Sequence, residues 1–130
     1  MKSIDADIYV NTRTTSPFAK PETLDDCIAA VSSGKYDSAF CAERIRTFMW
    51  QDMKPLNFEP SSFPSTEDLP VILAETSIAY VFTKDTVKKY NRCVGTKPYI
   101  HEAGKIEAID IDYPEDFVIA DSVYRSMNSK

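Results

Sequence analysis

Two aspartates, Asp110 and Asp112, stand in the stretch Lys105-Ile106-Glu107-Ala108-Ile109-Asp110-Ile111-Asp112-Tyr113-Pro114-Glu115-Asp116-Phe117. With no Cys or His beside them, paired carboxylates are hard oxygen ligands. They suit Mg²⁺, which keeps several waters and also takes phosphate oxygens from a substrate. The pairing depends on Ile106 to Ile111 forming a strand. Alternation then turns Ile109 and Ile111 one way and Asp110 and Asp112 the other, about 7 Å apart along the chain. A plainer reading uses the same residues: Asp112 as a helix N-cap, Glu115 completing a capping box, and Asp110 solvated at the sheet margin. Pro114 in the first turn, then Phe117, Ala120, Tyr124 and Met127 at helical spacing, predict the helix that follows. Strand, carboxylates, helix is the arrangement in which open α/β sheets place ligands.

The rest of the chain must supply the sheet. Asp7 to Arg13 reads as a short strand, followed by a turn at Thr14-Thr15-Ser16-Pro17-Phe18. Pro21 opens a helix whose apolar face is Leu24, Cys27, Ile28 and Val31 and which Gly34 closes. Tyr36 to Ala42 reads as the next strand, so this region predicts a βαβ unit with a parallel pair and a right-handed crossover. Arg46 to Trp50 and the segment around Leu56-Asn57-Phe58 are expected to pair as a hairpin across Gln51 to Pro55. Glu59 to Pro70 carries Pro60, Pro64 and Pro70, which forbids a regular central strand and marks a long loop. Val71 to Phe82 predicts a long strand, Thr83 a cap for a short helix through Tyr90, and Lys97 to Ile100 a loop or short edge strand.

Composition narrows the function classes. The 130 residues make one domain's worth of chain, 43% hydrophobic and 27% charged, as in a globular protein. No apolar run approaches a membrane span, and the amino-terminal residues do not read as a signal peptide. A net charge of -5 argues against nucleic-acid or anionic-membrane partners. Cys27, Cys41 and Cys93 are odd in number and widely spaced, which fits reduced cytoplasmic thiols better than a disulfide framework or a zinc site. His101 is the single histidine, so no histidine-rich metal site exists, and no Gly-x-Ser-x-Gly elbow accompanies it; a surface or strand-end role is expected. Phe48-Met49-Trp50 reads as core or subunit interface, and Lys88-Lys89 as a solvated helix face. The glycines at 34, 95 and 104 form no phosphate-cradling loop.

A series of blocks in the chain resembles one known family. Thr14-Thr15-Ser16-Pro17-Phe18 with Lys20-Pro21-Glu22-Thr23 comes first, then Gly34-Lys35-Tyr36-Asp37-Ser38-Ala39-Phe40. Ala74-Glu75-Thr76 leading into Ala79-Tyr80-Val81-Phe82, and Gly95-Thr96-Lys97-Pro98-Tyr99, continue it. Lys105 to Asp112 and Pro114-Glu115-Asp116-Phe117 close it. In this order, from Asp7 onward, they are similar to the acylneuraminate cytidylyltransferases, or CMP-sialic acid synthetases.

That resemblance implies an α/β fold: part of a Rossmann-like, nucleotide-diphospho-sugar-transferase-like mixed sheet with flanking helices and a small inserted dimerisation element. It implies transfer of CMP from CTP to an acidic nine-carbon sugar with release of pyrophosphate, in a cytoplasmic homodimer. Asp110 and Asp112 then fall on the paired aspartates that hold the catalytic Mg²⁺. Thr15, Ser16 and Pro17, with Arg13 before them, fall beside the bound substrate. Residues from about Arg46 to Pro70 fall on the dimerisation insert of a single domain spanning 1–130. Family members open with a strand and a Gly-, Arg- and Lys-bearing loop for the CTP phosphates, so the resemblance implies the carboxyl-terminal part of the enzyme. Ser65-Thr66-Glu67 stands where the family commonly has Arg-Thr-Gln, and Arg13-Thr14 where many members have Gln-Pro. These residues alone are therefore expected to carry out no CMP transfer; the alternative is a non-catalytic dimerising or sugar-binding remnant.

Overall fold

The computed structural model describes residues 5–62 and 64–129. They form two compact units, 5–43 with 75–129, and the described residues of 44–74. The larger unit is built on a four-stranded sheet. Its strands are β1 (Ile8–Thr12), β2 (Ser38–Ile45), β5 (Ile72–Thr83) and β6 (Pro98–Ala103), in the order β1-β5-β2-β6. β1 runs antiparallel to β5, while β2 runs parallel to β6. The sheet is therefore mixed, as expected. The helices are α1 (Pro21–Ser32), α2 (Lys84–Tyr90) and α3 (Pro114–Asn128).

Local signals account for α1 and α2. Pro21 fits the first turn of α1, where its missing N–H has no partner to lose. Gly34 takes φ +73° just past the end and returns its N–H to the Val31 carbonyl at 3.1 Å. Thr83 accepts the Thr86 N–H at 3.2 Å, and Asn91 ends α2 in the left-handed region. α1 lies against β6 and β1. Its Cys27 and Val31 enter the core with Ala39 and Cys41 of β2, Ile78, Ala79 and Val81 of β5, and Ala103 of β6.

Three long-range expectations are corrected. β1 and β2 are not paired neighbours: β5 lies between them, and the parallel partner of β2 is β6. Local pattern carries no signal for a strand inserted from beyond Ile45, starting only at Ile72. Second, Ile106 to Ile111 is not a strand. The last strand ends earlier, at Ala103, and the chain turns through Ala108 N–H to Gly104 carbonyl at 3.0 Å and Ile109 N–H to Ile106 carbonyl at 3.3 Å. Glu107, 4% exposed, holds this turn inward by accepting the Lys20 backbone N–H at 3.1 Å, at the start of α1. Third, the N-cap of α3 is Tyr113, not Asp112, and the residue that reaches back is Asp116, not Glu115. Asp116 Oδ2 accepts the backbone N–H groups of Tyr113 at 2.8 Å and Asp112 at 3.1 Å. Of the apolar series on α3 only Ala120 is buried; Phe117, Tyr124 and Met127 are exposed.

The smaller unit contains a two-stranded hairpin of β3 (Trp50–Gln51) and β4 (Lys54–Pro55). The expected hairpin is present, but its strands take in Gln51, Lys54 and Pro55, and only Asp52 and Met53 turn. Both have positive φ, 49° and 63°, as a two-residue turn with the right twist demands. Buried Asn57 fixes the approach, accepting the Met49 N–H at 2.8 Å and donating to the Thr47 carbonyl at 2.9 Å. Phe58 packs edge-on against Phe48 and Trp50. Trp50 is not core: it is 60% exposed.

Candidate functional site

Asp110 lies seven residues beyond β6, in the irregular segment before α3, so its position is set by bonds and not by strand alternation. The Ile111 N–H donates to the Thr15 carbonyl at 2.9 Å, tying this segment to the turn after β1. In that turn the Ser16 N–H returns to the Arg13 carbonyl at 3.3 Å, and the Ala19 N–H to the Ser16 carbonyl at 3.4 Å. From the sheet, Ser77 of β5 donates its hydroxyl to Asp110 Oδ2 at 2.7 Å. Three distant parts of the sequence thus meet at one carboxylate.

The electrostatics favour the charged form. The Thr15 hydroxyl and then the Ser77 hydroxyl hold the Asp110 carboxyl below its ordinary value; the backbone at Ile111 and the Arg13 charge add to this, against a smaller opposing effect of burial. Oδ1 is buried and has no hydrogen-bond partner. Buried carboxylate oxygens are normally satisfied, because leaving one bare forfeits its hydration.

Of the residues singled out from sequence, Asp110, Thr15, Ser16 and Arg13 come together here. Ser16 is buried, Thr15 half-buried and Arg13 exposed. Pro17 faces elsewhere, lining an apolar groove of about 260 Å³ with Phe18, Ile111, Phe117, Ala120 and Tyr124. Asp112 is exposed, and its backbone N–H is engaged by Asp116. Among the described residues no three His, Cys, Asp or Glu side chains converge to hold a metal. A Mg²⁺ ion at this place would rely on Asp110, Asp112, waters and substrate oxygens. The bare Oδ1 is the feature that fits such an ion.

Sequence reasoning missed Ser77. A serine within an apolar strand carries no local sign of its role; the alternation Ser77, Ala79, Val81, with one polar residue in an otherwise apolar row, was the available clue. It also missed the concavity beside Arg13, about 390 Å³, lined by Asn11, Arg13, Glu75, Tyr80, Arg92, Cys93 and Val94. There the Tyr80 hydroxyl donates to Glu75 Oε1 at 2.6 Å. Burial first, and the Glu75 carboxylate second, push the Tyr80 phenol up to about 12. His101 lies on edge strand β6, where its Nδ1 meets Asp26 Oδ2 at 2.7 Å; Tyr99 donates to the same oxygen at 2.8 Å. These bonds pin α1 to β6.

The chain is similar to known proteins in sequence and in structure. Over 125 residues the chain is 26% identical to the N-acylneuraminate cytidylyltransferase of Oncorhynchus mykiss, covering 90% of this chain. The chain is a distant homologue of that enzyme. It spans 28% of the relative's length. In structure it is similar to the 4-diphosphocytidyl-2C-methyl-D-erythritol synthase of Anaerococcus prevotii, with a TM-score of 0.65 at 16% identity, covering 95% of this chain and 62% of that one. No family model matches. The sequence match is one of distant homology, and the structural match shows a shared fold. No helix among the described residues is long and apolar enough to cross a membrane.

Proposed function

We propose that this chain carries the metal-holding part of a site that transfers CMP from CTP to an acidic nine-carbon sugar, releasing pyrophosphate. The bare, buried Oδ1 of Asp110 carries the reading, supported by distant homology to an N-acylneuraminate cytidylyltransferase. Asp110 and Asp112 are the residues that would hold Mg²⁺. When bound, that ion offsets charge developing at phosphorus and orients the displacement. Thr15 and Ser77 keep Asp110 ionised and fixed in direction. The turn at Ser16 and the Arg13 side chain border the sugar, whereas Pro17 lines the separate apolar groove. The guanidinium groups of Arg13 and Arg92, which line one concavity, give a sugar carboxylate a cationic wall.

The 130 residues contain no glycine-rich cradle for the CTP phosphates. The chain by itself is therefore expected to transfer no CMP. Pyrophosphate release from purified chain, CTP, Mg²⁺ and acidic sugars would contradict this. The metal role is tested in a hybrid in which this chain replaces the matching stretch of the Oncorhynchus mykiss relative. Asp110→Asn and Asp112→Asn in an active hybrid should each lower Mg²⁺-dependent CMP transfer by orders of magnitude. Unchanged turnover in both defeats the reading.

A second reading, association without catalysis, draws on the smaller unit. Trp50 is 60% exposed and Met53 91% exposed, beside exposed Phe48. Apolar side chains grouped in this way mark an interface, and a second copy is the proposed occupant, giving a homodimer. Sedimentation equilibrium should return a dimer that Trp50→Ala weakens; a monomer at tens of micromolar sinks it.

A further inference from the structure

We propose that Ser77 is a positioning residue for Asp110, and that its hydroxyl selects Oδ1 as the oxygen offered to a divalent cation. The inference rests on the metal reading above. Ser77 sits on β5, an inner strand of the sheet, followed directly by buried Ile78 and Ala79, which anchor this part of the strand in the core. Its Oγ lies 2.7 Å from Asp110 Oδ2, a short, charge-assisted bond. On the Asp110 side the backbone is fixed by the Ile111 N–H bond to the Thr15 carbonyl at 2.9 Å. With both ends anchored, the Ser77 bond sets the plane of the carboxylate, with the Thr15 hydroxyl beside it.

The consequence is an asymmetric carboxylate. Oδ2 is satisfied by the protein, whereas Oδ1 is buried and bare. A full hydrogen bond to each oxygen would quench the group as a ligand; no donor would let it rotate. The Ser77 bond occupies Oδ2 and leaves Oδ1 as the oxygen with acceptor capacity, which suits monodentate coordination of a small hard cation. A threonine could keep the hydroxyl. Alanine and cysteine could not, because an S–H is a weak donor.

The test is Mn²⁺ affinity of the purified chain, measured by water-proton relaxation enhancement, with thermal unfolding of each variant alongside. The probe is Mn²⁺ alone, so no turnover is needed. Ser77→Ala and Ser77→Cys should each weaken Mn²⁺ binding by about tenfold or more, the size expected for loss of a group that orients a metal ligand. Ser77→Thr should bind as wild type does, and Asp110→Asn should bind weakest. Wild-type affinity in Ser77→Cys and Ser77→Ala, with Asp110→Asn weakened, overturns the role of Ser77 and leaves the metal reading standing. Wild-type affinity in Asp110→Asn removes the metal reading and this inference together. If Ser77→Thr loses as much affinity as Ser77→Ala, the hydroxyl is not the operative group and the inference falls.

Discussion

Asp37 and Asp110 are both half-buried aspartates beside strands, yet the chain treats them differently. Asp37 is saturated: Ser38 donates to Oδ1 at 2.8 Å, and the Thr96 and Lys97 N–H groups donate to Oδ2 at 2.8 and 3.0 Å. Gly95 fits there because a Cβ would stand 2.3 Å from the Asp37 carboxylate, and its N–H goes to Ser38 Oγ at 2.9 Å. This junction sets the start of β6 beside β2, with Ser38 opposite Pro98. Asp110 has one oxygen satisfied and one bare. A carboxylate whose oxygens all face protein donors serves the fold; a bare, buried oxygen is what the proposed metal reading calls for.

The largest effect should come from breaking the saturated site. Gly95→Ala forces a methyl group into the Asp37 carboxylate and should destabilise the fold by about 2–4 kcal/mol, read as a fall in urea midpoint. A loss below about 0.5 kcal/mol would mean that Asp37 can move away freely. Next in size is Asp37→Ala, which strips partners from two N–H groups and a hydroxyl; a loss of about 2 kcal/mol is expected in the same measurement.

The pH dependence follows from the same bonds. Burial alone would raise the Asp37 carboxyl, but the Ser38, Lys97 and Thr96 donors outweigh it and hold it below its ordinary value. Asp110 is lowered by Thr15 and Ser77, and Asp26 by His101 and Tyr99. A folded pKa below the unfolded one stabilises the fold at pH above about 4. That stability is lost as pH falls through the lowered values. Acid unfolding of the wild type should therefore set in below about pH 4, and Asp37→Asn should flatten the dependence. An unchanged acid limb in Asp37→Asn would separate the junction from the pH effect. The smallest effect is expected at Asp110 itself: Asp110→Asn should shift stability by less than about 1 kcal/mol, because it removes a buried charge that the chain satisfies only in part. A loss as large as that of Asp37→Ala would make Asp110 structural.

What the sequence made legible was local. Pro21 and Gly34 around α1, and Thr83 before α2, each act within one turn of chain, so the residue types alone bounded the helices. The mixed α/β fold was also readable, through resemblance across ordered blocks. Strand order was not, because the insertion of β5 between β1 and β2 is decided by packing among residues far apart. The segment Ile106 to Ile111 misled through its β-branched content; the bond from Lys20 to Glu107 decided its course, and its partners lie 87 residues apart. Met53 in a left-handed turn carries none of the usual Asn-Gly signature. Asp110 was singled out by residue type and spacing and then by resemblance, and Thr15, Ser16 and Arg13 by resemblance alone, while Ser77 became visible only through its bond.

The most direct measurement is site-resolved. In a ¹H–¹⁵N spectrum of the chain titrated with Mn²⁺, paramagnetic broadening should appear first at the amides of Thr15, Ser77 and Ile111, around the bare oxygen. Thr96 and Lys97, which serve the saturated Asp37, should stay sharp at the same Mn²⁺ concentration, and Asp110→Asn should abolish the selective broadening. Equal broadening at both carboxylates, or the same pattern in Asp110→Asn, would contradict the claim that Asp110 is held ready for a divalent cation.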